Sequence, residues 1–127
     1  KDKTQEIKLN NSYSATSLEV CWALSGDTGE DASLEMFLIS GDATAGYILS
    51  QKIGVNGSAA YNTNGFELPP SGDGTYRHCR MVTWAAGLKV QLLRIKALYN
   101  NSSAVIKPVA ALPAQSFVIG SVGTAGE

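Results

Sequence analysis

Alternation of apolar and polar positions with a period of two runs through most of the chain. In 17–24, Leu18, Val20, Trp22 and Leu24 share one face and Glu19, Cys21 and Ala23 the other; in 47–55, Tyr47, Leu49, Ile53 and Val55 lie opposite Ser50 and Lys52. Both patterns are those of half-buried β-strands. Residues 34–39, LEMFLI, are apolar on both faces except at Glu35, which predicts a central strand covered on both sides or a contact with another subunit.

Residues 76–84 and 88–99 read as two further strands, joined as a hairpin in which Gly87 supplies the left-handed position of the turn. Leu88, Leu92, Ile95 and Tyr99 would also fit a helical stripe. The strand reading is preferred, with the alternation Leu88, Val90, Leu92 slipping to Leu93, Ile95, Ala97, Tyr99 as at a β-bulge. Strands are also expected around Glu6–Leu9, over 104–112, where Pro108 implies an edge, and over 115–122. Asn56-Gly57 and Asn64-Gly65 are hairpin signals, and Leu68-Pro69-Pro70 stops whatever precedes it. About eight short strands without a helix predict an all-β fold, an antiparallel β-sandwich of jelly-roll-like type, as one domain over 1–127.

Composition narrows the function classes. Apolar residues make up 44% of the 127 and charged residues 17%, which suits a globular domain, and no segment has the length and apolarity of a membrane helix. The opening KDKTQEIKL has neither an initiator Met nor an apolar signal core, as expected of a processed chain, an excised domain or a truncated chain. The net charge is only −1 but is unevenly spread: ten acids face four lysines through Asp73, and six bases face Glu127 alone from Gly74 onward. Arg77, Arg80, Arg94 and Lys96 fall on the two strands read as a hairpin and are the candidate contacts to an anionic partner or another subunit. A pI near 5.8 and the lack of any recognition motif argue against nucleic acid. Self-complementarity is the simpler expectation: acidic surface to basic surface between copies, with association that weakens in salt, or between the two sheets of one copy.

Catalytic chemistry finds little footing. His78 is the one histidine, set mid-strand between Arg77 and Cys79 with Arg80 beyond, a poor setting for a general base. No phosphate-binding glycine loop and no metal-ligand spacing is present, so neither a cofactor nor a resident metal is expected, and the chain reads as non-enzymatic. The loop Gly26–Asp31 could offer oxygens to calcium, though a solvated acidic turn is the plainer reading. Sequons at Asn10, Asn56, Asn100 and Asn101 are what Asn-rich turns produce by chance. Tyr61 and Trp84 are candidate sugar-stacking surfaces. Cys21 and Cys79, 58 residues apart, form either one disulfide worth about 3–4.5 kcal/mol or two buried thiols.

Cys21, the turn Asp73-Gly74-Thr75-Tyr76 and Cys79 resemble the immunoglobulin pattern, in which a Tyr two residues before the second cysteine marks a late strand. The resemblance covers about ten residues and implies an adhesion domain with the two cysteines bridged. Here Tyr76 stands three before Cys79, and the core Trp that the family places after the first cysteine is missing, with Leu34, Met36 and Phe37 in that region. The expected function is therefore a structural or assembly module of a particle, fibre, virion or cell surface, extracellular, associating with itself or with other structural subunits. A glycan-binding jelly-roll module and the immunoglobulin-like adhesion domain are the alternatives.

Overall fold

A computed structural model of the chain describes residues 4–42 and 46–115. Seven strands are seen: β1 Thr4–Lys8, β2 Ser17–Leu24, β3 Ser33–Asp42, β4 Tyr47–Val55, β5 Tyr76–Thr83, β6 Val90–Leu98 and β7 Ala104–Pro108, with one short 3-10 turn at Ala59–Tyr61. They form two antiparallel sheets, a four-stranded one in the order β1-β6-β3-β4 and a three-stranded one in the order β5-β2-β7. The strand expected over 115–122 lies, beyond Gln115, outside the described residues.

The period-two stripes face each other across the core. Leu18, Val20 and Trp22 of β2, with Val82 of β5 and Ile106 of β7, meet Ile7, Leu34, Met36, Leu38, Val55, Leu93 and Ile95 of the other sheet, and all are buried. The segment 34–39 is the central strand β3, buried on its Leu34–Met36–Leu38 face and half-buried at Glu35, Phe37 and Ile39. The phase slip in β6 is present: Ile39 pairs with Leu92 and Ser40 with Val90, so Gln91 is the extra residue. Its carbonyl accepts from the backbone of both Leu9 and Asn10, which satisfies the group that the bulge removes from the ladder.

Three hairpin expectations fail. Gly87 does take the left-handed conformation (φ 88°), but β5 and β6 belong to different sheets, so residues 84–89 bridge the layers. Asn56-Gly57 and Asn64-Gly65 likewise form no hairpin, since both lie between β4 and β5, which are in different sheets. Among the described strands β3 and β4 are the consecutive pair that hydrogen-bond to each other; every other connection crosses the sandwich. Turn chemistry marks where a chain reverses, and it is the same whether the next strand lies alongside or across the core.

The sheet edges differ in how they are closed. β1 is five residues long, and the Gln115 side chain accepts from Lys8 N and donates to Lys8 O on its outer side (both 2.7 Å). Residues 70–73 run along β5, where Ser71 O accepts from Cys79 N and Asp73 N donates to Tyr76 O. β7 is also five residues long and ends at Pro108, an edge as expected. β4 is the long edge, with nine residues.

Candidate functional site

Each arginine of the expected cationic strip is matched by an acid of the same chain. Arg77 and Arg80 lie on the three-stranded sheet and Arg94 and Lys96 on the four-stranded one, so they form no continuous strip. Arg77 Nε donates to both Asp31 oxygens (3.0 Å each), Arg80 pairs with Glu67 (2.7 Å) and Arg94 with Glu6 (2.7 Å), while Lys107 pairs with Asp73. All four pairs join an acid from before Gly74 to a base beyond it. The charge asymmetry read along the sequence is thus balanced within one copy, across strands that only the fold brings together. Arg94 and Lys96 do share a face, where they line a shallow groove of about 440 Å³ with Thr4, Glu6, Glu35 and Phe37.

Asp31 is the hub of one end of the sandwich. Besides Arg77 it takes His78 Nε2 at 2.7 Å, and His78 Nδ1 donates to Pro70 O at 2.7 Å. His78 therefore clips the β2–β3 loop to the β4–β5 connection, with its ring 5.3 Å from that of Trp22. Arg77 Nη1 donates to Ser25 O and Asp27 O as well (3.0 and 3.1 Å). Asp27 O and the Asp31 carboxylate, two of the oxygen groups that the acidic loop would offer calcium, already meet a guanidinium, a cation built into the chain.

The Arg77 guanidinium foremost, and His78 after it, hold the Asp31 carboxyl below its ordinary value of 3.8 against the opposing effect of burial. Arg80 does the same for Glu67, ordinarily 4.5, and Lys107 for Asp73. A carboxyl whose pKa is depressed by folding contributes stability in full above its unfolded value, and that contribution is lost as the pH falls through the folded value. The thermal midpoint should therefore fall increasingly as the pH drops below about 4.5. Asp31→Asn should lower the midpoint at neutral pH and flatten the acid limb. Scans at a series of pH values check this, and a midpoint unchanged down to about pH 2 would contradict it.

Next to this hub, Asn56 is 2% exposed and anchors an amide network. Its Nδ2 donates to Tyr61 O and Asn64 Oδ1, Asn64 Nδ2 returns to Asn56 Oδ1, and Ser33 Oγ donates to Asn56 Oδ1. Burial closes the Asn56 sequon to modification in the folded chain. Asn64 Nδ2 also donates to the Tyr99 hydroxyl, and the Tyr99 ring stacks on Tyr61 at 4.1 Å. Trp84 lies at the opposite end of the sandwich, where its backbone N donates to Thr16 O and its ring packs on Tyr13 at 5.9 Å. Tyr61 and Trp84 therefore cannot share one sugar; the aromatic neighbour of Tyr61 is Tyr99, at φ 74° a strained backbone position for a bulky residue.

Cys21 and Cys79 are bonded. They face each other directly on neighbouring strands β2 and β5, with α-carbons 4.0 Å apart, on the outer face of the three-stranded sheet. The immunoglobulin bridge spans the two sheets beside a buried Trp; this one ties two strands of a single sheet and lies opposite the Trp22 face. A disulfide is consistent with an oxidising compartment, and no helix among the described residues is long and apolar enough to cross a membrane.

The described residues form a two-layer antiparallel β-sandwich with a cross-strand disulfide on the outer face of one sheet and, among these residues, an open strand edge on the other. Comparison with protein-family models, curated proteins and solved structures finds no match.

Proposed function

We propose that the protein is a non-enzymatic structural module of a particle, fibre or cell surface, extracellular or virion-borne, that associates copy to copy through the β4 edge and outer face of its four-stranded sheet. The observation that carries this reading is the difference between β4 and the other three edges. Among the described residues the outer side of β4 is occupied only at its end: Gly54 O accepts from Glu67 N and Asn56 N donates to Glu67 O. By alternation the main-chain groups of Lys52, Ser50 and Ile48 point the same way, with no strand beside them among the described residues. Ile48 and Leu49 are 82% and 52% exposed, and Phe37 and Ile39 are half-buried nearby on β3. Unpaired main-chain groups beside exposed aliphatic side chains are what a second strand needs for edge pairing. Lys52 is the one charge on this edge, and it is directed to Glu35 at 3.5 Å.

The internal ion pairs revise the expected salt response. Edge pairing through main-chain hydrogen bonds and aliphatic contact should persist, or strengthen, at high salt, whereas association by opposite surface charges would weaken. Light scattering over a concentration series should show oligomers that Ile48→Lys with Leu49→Glu converts to monomers, with the fold unchanged by circular dichroism. A wild-type chain that is strictly monomeric at high concentration would end this reading.

A further inference from the structure

The outer face of the three-stranded sheet carries a group of ligand atoms that the assembly reading does not use. Glu19 and Cys21 are two apart on β2, Met81 and Cys79 two apart on β5, and the register sets Glu19 opposite Met81 and Cys21 opposite Cys79. All four positions therefore project to one face. A carboxylate oxygen of Glu19 and the two sulfurs lie within 4.8 Å of one another. While the sulfurs are bonded to each other they are not ligands.

We propose that this face becomes a zinc-class metal site when the Cys21–Cys79 bond is reduced, with Glu19, Cys21 and Cys79 as the three protein ligands. A dithiol supplies the chemistry: it gives two electrons and two protons, the S–S bond breaks into two thiols, and the dithiol closes to its own disulfide. A divalent cation then displaces the two thiol protons and is held by two thiolates and one carboxylate, with water in the fourth tetrahedral position. Two thiolates with one carboxylate suit a borderline cation such as Zn²⁺ better than Ca²⁺ or Mg²⁺, which take oxygen ligands.

The ladder preserves this geometry without the bond. β2 pairs with β5 from Ser17↔Thr83 to Leu24↔Tyr76 and with β7 on its other side, and the opposite face of β2 is locked into the core through Leu18, Val20 and Trp22. The reduced cysteines therefore stay directly opposed. Lys107, which the register places across from Glu19, is engaged by Asp73, which limits its competition for the Glu19 carboxylate. A cation can enter from the side of Glu19 and Met81, since Met81 is 41% exposed and Cys79 and Glu19 are half-buried, whereas Cys21 is buried.

Cobalt(II) provides the test, because thiolate coordination gives it charge-transfer and visible bands. The full chain, reduced with a dithiol and freed of it under argon, is titrated with the metal alone. One equivalent should bind with thiolate bands that Zn²⁺ bleaches, the oxidised chain should give none, Cys21→Ser should abolish them, and Glu19→Gln should weaken binding at least tenfold. Unchanged affinity in Glu19→Gln would overturn the proposal, as would a reduced chain without bands or one that has lost its β-sheet circular dichroism.

Discussion

Trp22→Ala should cost about 3–5 kcal/mol in urea unfolding, the range for emptying an aromatic from a well-packed core. Trp22 is fully buried, and its Nε1 donates to Ala32 O at 2.8 Å, so truncation leaves both a cavity and a carbonyl without its partner. Set against a typical net stability of about 5–15 kcal/mol, that loss takes the domain near its threshold. Trp22→Phe retains most of the apolar volume and gives up the hydrogen bond, for about 1–2 kcal/mol. The two variants separate packing from the tie that holds the β2–β3 loop over the core. A Trp22→Ala midpoint close to wild type would mean that the indole is not where the two sheets meet.

Gly57→Ala should cost about 2–3 kcal/mol. A Cβ there would lie 2.0 Å from Ala32 O and 2.9 Å from Ala32 C, and backbone cannot swing aside as a flexible side chain does. Gly65 provides the contrast. It has φ 77° with nothing within 4 Å of the added Cβ, so Gly65→Ala meets only the left-handed penalty, about 1–2 kcal/mol. Because Gly57 abuts the carbonyl that receives the Trp22 indole, Gly57→Ala and Trp22→Phe should be non-additive in a double-mutant cycle. Equal effects of the two glycine substitutions would show that residue 57 is a turn position and not a point of close approach.

Much of the fold was legible along the chain. The inward stripe Leu18, Val20, Trp22, the central position of 34–39, the bulge in 90–98 and the edge character of the strand holding Pro108 all follow from alternation and from which residues tolerate which backbone. The candidate site was legible only in part. The sequence singled out Arg77, Arg80 and Arg94 as chemistry-bearing, but not that Asp31, Glu67 and Glu6 neutralise them, since partners 13 to 88 residues away leave no local signal. The Tyr61–Tyr99 stack and the grouping of Glu19 with the cysteine pair were missed for the same reason. One signal for the latter was present: Glu19 and Cys21 share a face by their spacing.

Side-chain alternation is a relation between residues i and i+2, so the sequence by itself determined where most strands run, that Leu18, Val20 and Trp22 turn inward and where the phase slips, although Leu49, on the apolar stripe of 47–55, is 52% exposed. Which strand lies beside which was decided by the tertiary structure. It put β5 beside β2 and not beside β6, turned the two-sided charge distribution into internal ion pairs, set Cys21 directly against Cys79 and made β4 the nine-residue edge of its sheet. The physical reason is that five connections carry the chain across the core between sheets. Strand pairing then depends on which stripes can be buried together in one closed packing, a condition on the whole chain at once that no stretch of it encodes alone.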